Sequence, residues 1–511
     1  MSVLGGLKVL DVGTWLAGPA AATVMSDFGA DVIKIEAPEG GDTYRKLQDL
    51  PGIPRSAVEY SWLLPSRNKR SVALDLTTRE GRDILLTLVR RSDVLVTNFV
   101  PERLARLKLT WEDVSAENPR LVFAALTAYG EVGAEASKTG FDLNAWWART
   151  GLMDRVRAVG APPARSMPGM GDLPTAMAVF GAIMMALYHR ERTGRGSKVS
   201  TSLMANGAWA NSFLIQAALC GAAFAEPLPR ERGLNALTSM YRCRDERWFV
   251  LSLLAEDRAW EPFTRAIERP DLREDPRFKR QGDRRANSQA LIAILDLVFA
   301  GRDWEEWRAR LDAEGLTFGA IATVAEATRD QQMAAAGVIV PFDDAGVPGL
   351  RTVSSPIAMQ GETKTTPRRA PRLGEHTDEV LRSLGHDDAA IQALHARGII
   401  GGPLDLLPEE LGLAHARADG GGVALVGAAG DAGMPLRRPG EGGREERRLV
   451  LAEIGRGLAK IPLGGGAHAV DARPQLDHVE IKLENAPLGQ RALELPGQDR
   501  LLHLAERVAA R

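Results

Sequence analysis

Residues 7–36 read LKVLDVGTWLAGPAAATVMSDFGADVIKIE, and this stretch decides the fold. Its two ends, LKVLDV and ADVIKIE, are apolar runs that predict two strands. The Ala-rich stretch between them predicts a helix over Ala20–Phe28, with Pro19 in its first turn, where proline is tolerated. The remaining segment, GTWLAGP, is predicted to be a loop that joins the first strand to the helix.

Strand and helix signals continue to alternate as far as residue 125. RSVALDL, SDVLVTNF and RLVFAAL predict three further strands. After the first of these, Thr77-Thr78-Arg79-Glu80 is a capping-box pattern that predicts a helix running to Val89. This alternation indicates an α/β fold with a parallel sheet and helices on both faces. In such folds ligands bind beyond the carboxyl ends of the strands.

The pattern changes in the second half of the chain. Residues 172–216 indicate long apolar helices around a strand, and residues 240–254 indicate a β-hairpin with Arg244–Glu246 at its turn. Helical signals follow through about Gly315, so a second, smaller α+β domain is predicted here. Later elements are also predicted, with strands in 335–360 and helices at Thr377–Leu384 and Asp388–His395.

The C-terminal stretch has a different composition. No Trp, Tyr, Phe or Cys follows Phe342, and Gly, Arg and Ala dominate beyond residue 400. Without aromatic anchors a packed core is hard to build. Residues 401–511 are therefore predicted to be an atypical, poorly ordered extension.

Bulk composition excludes several function classes. The 511 residues carry a net charge of -2, which leaves no electrostatic footprint for nucleic acid or an anionic membrane. Two cysteines cannot form a disulfide framework or a metal cluster, so a cytoplasmic location and no metal site are predicted. The start lacks a signal-peptide pattern. The most apolar stretch, Ala176–Tyr188, is too short to span a bilayer and is predicted to be a buried helix.

Histidine is absent before His189, so a catalytic centre in the first 188 residues has no imidazole. Two loops there have open interpretations. Amides of the Gly13–Pro19 loop could hold a phosphate or an oxyanion, or they could belong to an ordinary turn. The basic residues of Asn68–Ser71 could meet ligand phosphates, or they could form a solvated charge cluster.

Two aspartates are candidate site residues. Asp142 could be a polar group in a cleft, but local sequence favours an N-cap of the helix that contains Trp146 and Trp147. Asp172 lies in GMGDLPT, where glycines allow close approach of a ligand and Pro174 marks a helix start. A helix N-terminus is expected to favour the ionised carboxylate, which could be a plain N-cap or a usable nucleophile.

Several long motifs, in one order, resemble the class III CoA-transferases (the CaiB/BaiF-like group). They span residues 5 to about 400 and read LKVLDVGTWLAGPAAATVMSDFGADVIKIEAPEGGD, NKRSVALDL, SDVLVTNFVP, KTGFDLNAW, GDLPTAMAVFGAIMMALYHRERTGRGSKVSTSL and APRLGEHTDEVLRSLG. The resemblance implies an interlocked homodimer with a Rossmann-like large domain. It places the first part of that domain at 1–220, an inserted small domain at 226–325 and a returning segment that completes the large domain at 326–400.

The resemblance also implies a mechanism and site residues. Asp172 matches the family's nucleophilic aspartate, which takes CoA from an acyl-CoA and passes it to a carboxylic acid through aspartyl anhydride and aspartyl-CoA thioester intermediates. A CoA thioester is then a substrate, and no permanently bound cofactor is implied. Positions that match CoA-contacting segments are Leu16, Ala17, Leu74, Asp75, Leu76, Thr77, Asn98, Phe99, Val100, Arg106, Thr139, Gly140, Phe141 and Asp142.

Departures from the family pattern bear on the substrate. Leu16 replaces a glutamine at the reacting centre of formyl-CoA transferase, and Ala37 replaces a phosphate-binding arginine of that enzyme. Its tetraglycine loop is replaced by Arg232–Asn235. These differences argue against oxalate or formate as a substrate. Phe141 stands where the racemase relatives have a His, which argues against moving an alpha proton. Two alternatives remain, namely a racemase or isomerase of the same fold and a non-catalytic acyl-CoA-binding protein.

Overall fold

The computed structural model describes residues 2–343 and 346–402, which all lie within one compact unit. Most of the predicted extension 401–511 therefore lies outside the described residues. The strands of the described part are β1 Lys8–Asp11, β2 Asp31–Glu36, β3 Arg70–Leu74, β4 Val94–Thr97, β5 Val122–Thr127, β6 Ser197–Ser202, β7 Met240–Arg242, β8 Trp248–Leu251, β9 Phe318–Ala320, β10 Ile339–Pro341, β11 Arg351–Val353 and β12 Ile400–Gly401.

Helices connect these strands, and most of those in the first half cover the faces of the large sheet. They are α1 Ala17–Asp27, α2 Tyr60–Ser66, α3 Arg79–Val89, α4 Pro101–Leu107, α5 Trp111–Glu117, α6 Leu152–Arg155, α7 Asp172–Thr193, α8 Leu203–Ala210, α9 Ser212–Leu219, α10 Glu256–Ala266, α11 Asp271–Glu274, α12 Gln281–Ala286, α13 Ser288–Phe299, α14 Trp304–Ala313, α15 Val324–Ala327, α16 Gln331–Ala335, α17 Thr377–Ser383 and α18 Asp388–Ala396. A π-helix, Asp142–Ala148, and short 3-10 turns complete the set.

A seven-stranded sheet forms the centre of the fold, with the strand order β12-β3-β2-β1-β4-β5-β6. All its neighbouring strands pair in parallel except β12, which is antiparallel to β3. The predicted α/β fold with a parallel sheet is confirmed. The chain winds outward in both directions from β1 and β4, so the connections diverge at this pair of strands. Such a switch point opens a crevice at the carboxyl ends of the strands.

Successive side chains along each strand alternate between two hydrophobic cores, one on each face of the sheet. In β1, Leu10 belongs to one core and Val9 to the other. In β2, Ile33 and Val32 divide in the same way. Successive side chains of a strand point to opposite faces, and a parallel sheet covered by helices on both sides buries them all. This burial explains the nearly continuous apolar runs in the sequence.

A separate hydrophobic cluster lies in the second half of the described chain. It joins the hairpin of β7 and β8 to the helices α10, α13 and α14, and β9 pairs antiparallel with β8. The predicted hairpin, with Arg244–Glu246 at its turn, is confirmed. The helices predicted near residues 377 and 388 are also confirmed as α17 and α18.

Three local predictions need correction. Helix α1 begins at Ala17 and not at Ala20, because Pro19 is accommodated within a first turn whose amides have no acceptors inside the helix. The cap of α3 is Thr78, whose hydroxyl accepts from Gly81 N, while the hydroxyl of Thr77 donates to Asp75 Oδ1.

The third correction concerns the apolar run in α7. Only one side of this helix is buried, and Met185 and Tyr188 are 69% and 66% exposed. The predicted buried helix is therefore buried along one side only. Across residues 2–343 and 346–402, no helix combines the length and apolar character needed to cross a membrane.

Candidate active site

The loops that follow β1 and β4 meet at the switch point of the sheet. Asn98 is the link between them, because its Oδ1 accepts from Thr14 N at 2.9 Å and its Nδ2 donates to Thr14 O at 2.7 Å. The amide side chain thus fixes both the N–H and the C=O of one residue of the first loop. The sequence indicated that the segments containing Thr14 and Asn98 each follow a strand. It did not indicate their contact, which spans 84 residues and depends on the strand order of the sheet.

A buried cluster of charged side chains is hydrogen-bonded to the backbone of the same loop. Lys34 Nζ donates to Gly13 O and lies 3.1 Å from Asp42 Oδ2, while Asp42 Oδ1 accepts from Trp15 N at 3.0 Å. Burial opposes the charge on Lys34, but the nearby carboxylates, Asp11 first, outweigh it and raise its pKa. The cluster holds Trp15 in a left-handed conformation with φ of 64°, which a non-glycine residue adopts only when its surroundings demand it.

Lys69 belongs to this cluster. Its Nζ lies 2.8 Å from Asp11 Oδ2 and donates to the carbonyls of Pro19 and Pro65. Burial lowers the pKa of Lys69 to about 8, against the pull of Asp11. Both expectations for this residue, a ligand phosphate contact and a solvated charge cluster, are wrong, because its ammonium is buried among internal acceptors.

Asp172 is the first residue of α7, and Gly171 is the N-cap. The expectation of a plain N-cap aspartate is therefore wrong. The preceding glycines are required by close contacts. A Cβ on Gly171 would lie 2.6 Å from Trp146 Cγ, and one on Gly169 would lie 2.8 Å from Leu16 Cδ2, with Gly169 also at φ +76°. These contacts bring the backbone before Asp172 against the first loop and the π-helix.

Asp142 is buried beside this helix start. It is the first residue of the π-helix, and its Oδ2 accepts from Gly171 N at 3.1 Å. The predicted N-cap role of Asp142 is wrong, since Asn144 Oδ1 accepts from Phe141 N at 2.7 Å and serves that helix end instead. Asp142 is thus a polar group that fixes the backbone before Asp172.

The two carboxylates determine the protonation of the site. Burial, and next the charge of Asp142, raise the pKa of Asp172 to about 7. The expectation that the helix N-terminus keeps Asp172 ionised is contradicted, because desolvation and a like charge both favour the neutral acid. Near neutral pH, Asp172 is therefore divided between its two forms. Burial, Asp172 and Asp142 also raise the pKa of Tyr44.

A pocket opens in front of Asp172. Several of the predicted site residues line it, among them Leu16 and Phe141. The complete lining consists of Trp15, Leu16, Ala17, Asn98, Leu126, Thr127, Ala128, Gly140, Phe141, Asp172 and Leu203. The sequence analysis missed five lining residues, namely Trp15, Leu126, Thr127, Ala128 and Leu203. Leu126 ends a predicted strand and Thr127 follows it directly, which was an available signal. Leu203 is brought in only by the pairing of β6 with β5.

The other predicted CoA contacts lie outside this pocket. Leu74 ends β3 and its side chain is buried in the core, while Asp75 Oδ1 accepts from Thr77 N in the exposed turn that also contains Leu76. Phe99 is buried, and Val100 is the N-cap of α4. Arg106 lies on the exposed side of α4 with Arg103, which the sequence analysis missed. Thr139, also exposed, lies just before the pocket residue Gly140.

Arg103 and Arg106 are close enough to interact. Desolvation, and next the charge of Arg106, lower the pKa of Arg103, whose guanidinium lies 3.7 Å from the ring centre of Phe99. Two like charges on one exposed helix face form a candidate anion site. Within the part of the chain that the structure describes, no group of His, Cys, Asp and Glu side chains could hold a metal ion.

Comparisons with known proteins show the family of this chain. A sequence model of CoA-transferase family III matches residues 4–377. The chain is 30% identical over 391 residues to (R)-2-hydroxy-4-methylpentanoate CoA-transferase of Clostridioides difficile, which covers 76% of this chain and 97% of the relative. It is 32% identical over 410 residues to the succinyl-CoA–L-malate CoA-transferase alpha subunit of Chloroflexus aurantiacus, covering 78% of this chain and 92% of the relative.

A solved structure shows the same fold. The crystal structure of a CAIB/BAIF family protein from Brucella suis has a TM-score of 0.66 and 28% identity to this chain, covering 75% of this chain and 99% of that one. The family match covers most of the chain and includes every residue of the pocket. The chain therefore belongs to CoA-transferase family III and is an enzyme of that class.

Proposed function

We propose that the enzyme moves CoA from an acyl-CoA donor to a carboxylic acid acceptor, with Asp172 as the covalent nucleophile. The observation that carries the proposal is the position of Asp172, a largely buried carboxylate at the start of α7 that faces a pocket at the switch point of the sheet. A desolvated carboxylate is a stronger nucleophile than a hydrated one, and a pKa near 7 leaves a substantial ionised fraction at neutral pH.

The exchange takes place in two halves. A carboxylate oxygen of Asp172 attacks the thioester carbonyl of the donor, the C–S bond breaks, and an acyl-aspartyl anhydride and CoA thiolate form. The thiolate then attacks the aspartyl carbonyl, which releases the donor acid and leaves an aspartyl-CoA thioester. The acceptor carboxylate attacks that thioester to give a second anhydride, and the thiolate attacks its acceptor carbonyl. This releases the new acyl-CoA and restores Asp172, without a metal or redox cofactor.

Each step develops a negative oxygen that needs a hydrogen-bond donor. The first turn of α1 lies along the pocket through Leu16 and Ala17. Amides in the first turn of a helix have no acceptors inside it, so those of Leu16 and Ala17 are candidate oxyanion donors. Asn98 and Asp42 hold the loop that leads into this turn.

The proposed CoA path extends from the pocket toward α4. Asn98 lines the pocket and α4 begins soon after it, so Arg103 and Arg106 are placed to meet the CoA phosphates. The turn Asp75–Thr77, with the backbone of Leu74, and the residues Phe99, Val100 and Thr139 remain proposed contacts by family resemblance.

A trapping experiment tests the chemistry. Wild-type enzyme, incubated with a panel of acyl-CoAs and then with hydroxylamine, is expected to carry a hydroxamate on the Asp172 peptide in mass spectrometry. Asp172→Ala should lose CoA transfer while still binding CoA, and the exposed-site control Asp49→Asn should keep both. Full transfer by Asp172→Ala would refute the proposal. Deuterium incorporation at the alpha carbon without an acceptor acid would indicate a racemase, and binding without turnover would indicate a non-catalytic protein.

We also propose that two copies associate as an interlocked homodimer. The support is an exposed apolar surface on α8 and α9, where Trp209, Phe213 and Leu219 are 80%, 84% and 77% exposed. Large exposed apolar patches mark association surfaces. Analytical ultracentrifugation is expected to show a dimer, and a monomer at micromolar concentration would contradict it.

Two further proposals concern organisation and location. The boundaries 1–220, 226–325 and 326–400 for the two domains are supported by the separate hydrophobic cluster of β7–β9 and α10–α14. Limited proteolysis should cut first near residues 221–229. A cytoplasmic location is supported by the unpaired thiols of Cys220 and Cys243 and is tested by cell fractionation.

A further inference from the structure

We propose that the acyl site accepts uncharged, apolar acyl groups, so that the enzyme exchanges CoA between branched-chain or aryl monocarboxylic acids and discriminates against dicarboxylic acids. Trp15, Leu16 and Phe141 are the residues that determine this specificity. The inference rests on the proposed function, since it assumes that Asp172 attacks the acyl carbonyl.

The position of Asp172 fixes where the acyl group lies. The carbonyl carbon must come into contact with its carboxylate, so the carbons next to that carbonyl occupy the adjoining pocket. Apart from Asp172, the side chains that line the pocket are apolar or uncharged. Leu16 is buried against Gly169, and Phe141 is half exposed.

Aromatic rings form one wall of this pocket. The rings of Trp15 and Phe141 meet edge to face, with centroids 4.9 Å apart, and Tyr44 flanks Trp15 at 6.2 Å. Asp42 Oδ1 holds the amide of Trp15, and Asn144 Oδ1 holds that of Phe141. These two bonds fix the chain positions from which both rings line the pocket.

Charge excludes a second carboxylate from the same space. Among the described residues that line the pocket, none is Lys, Arg or His. Lys34 and Lys69 lie behind the first loop, where Asp11, Asp42 and backbone carbonyls already engage them. A distal carboxylate would be desolvated without a cationic partner, and it would lie near the charges of Asp172 and Asp142. Both effects oppose a dicarboxylate.

Matched acid pairs test the inference in the full-length enzyme. An isopropyl group and a carboxylate have nearly the same shape, so 4-methylpentanoate is compared with succinate, and 5-methylhexanoate with glutarate. Each acid is supplied as its acyl-CoA, and hydroxamate formation on Asp172 is measured alongside transfer to a common acceptor. The apolar member of each pair is expected to have a kcat/KM about 100-fold higher, since unpaired buried charges are rejected strongly.

The outcomes separate the two proposals. Labelling of Asp172 with equal or higher kcat/KM for the dicarboxylyl-CoA in either pair would overturn the inference and leave the nucleophile standing. If no acyl-CoA of either kind labels Asp172, the proposed function fails and the inference fails with it. A preference for the apolar member in both pairs supports the inference.

Two variants at one position test the wall itself. Phe141 is half exposed and caps its helix only through its backbone, so its side chain can be changed without loss of that bond. Phe141→Arg supplies a cation and is expected to move the apolar-to-dicarboxylate ratio at least about tenfold toward the dicarboxylate. Phe141→Leu keeps the wall apolar and should leave the ratio on the apolar side. An unchanged ratio in Phe141→Arg would remove Phe141 from the acyl site.

Discussion

Asp172→Asn should make the folded protein more stable, and by more at high pH than at low pH. Burial, and next the charge of Asp142, raise the pKa of Asp172 from 3.8 to about 7. An Asp whose folded-state pKa is raised destabilises the fold once it ionises. The cost is absent below about pH 4, grows as the pH rises toward 7, and is constant above that. Asparagine has nearly the same shape and never ionises.

The magnitude follows from the two pKa values. At about 1.4 kcal/mol for each pKa unit, ionisation of Asp172 costs about 4 kcal/mol at pH 8 and about 1.5 kcal/mol at pH 5. The free energy of unfolding of Asp172→Asn, relative to wild type, should therefore rise by about 2.5 kcal/mol between these pH values. This pH-dependent difference is independent of any constant effect of the amide on packing.

Urea unfolding followed by far-UV circular dichroism measures this difference. Wild type, Asp172→Asn and the exposed-site control Asp49→Asn are compared at pH 5, 6.5 and 8, at one protein concentration because association also affects apparent stability. The control should differ from wild type by less than about 0.5 kcal/mol throughout. A stability gain of Asp172→Asn that is the same at pH 5 and pH 8, or that shrinks as the pH rises, would refute the assigned protonation of this site.

Four other substitutions have defined expected effects. Asp142→Asn removes the like charge beside Asp172 and should move the acid limb of the kcat/KM profile down by about one pH unit. Burial still keeps the pKa of Asp172 above its ordinary value of 3.8. Lys34→Met removes the cation that pairs with the buried carboxylate of Asp42 and should lower the free energy of unfolding by about 3–5 kcal/mol in urea. Gly171→Ala places a methyl group 2.6 Å from an indole carbon and should reduce both stability and activity, whereas Gly181→Ala meets nothing within 4 Å and should stabilise α7 slightly.

Controls distinguish these effects from general damage. Arg70→Met breaks a more exposed pair with Asp31, so it should cost no more than about 1 kcal/mol in the same assay as Lys34→Met. An acid limb that stays in place in Asp142→Asn would show that the neighbouring carboxylate does not influence catalysis. Wild-type stability in Gly171→Ala would show that the helix start can move away from Trp146.

Periodicity in the sequence was sufficient to predict the parallel sheet. Strands with apolar runs, separated by helices, have few ways to bury both faces, and Val9 and Leu10 divide between two cores as this arrangement requires. The hairpin after residue 240 was predictable for a similar reason, since its turn residues follow from local chain preferences. Family motifs, and not periodicity, were the basis for choosing Asp172 over an ordinary helix cap.

The environment of Asp172 depends on contacts that no local pattern contains. Asp142 meets Gly171 across 29 residues of chain, and Asn98 meets Thr14 across 84. Local patterns indicated that Lys69 was a surface or phosphate-binding residue and that Asp172 was an ionised one. Burial reversed both expectations, because desolvation acts on a side chain through everything that surrounds it in space.

The sequence by itself determined the order of strands and helices along the chain and the apolar faces that pack them, and its motifs singled out Asp172 as the proposed nucleophile. Only the tertiary structure decided which residues surround that nucleophile, the raised pKa of Asp172 and the uncharged wall of Trp15 and Phe141. The physical reason is that secondary structure responds to neighbours along the chain, whereas desolvation and charge pairing depend on distances between segments that are remote in sequence.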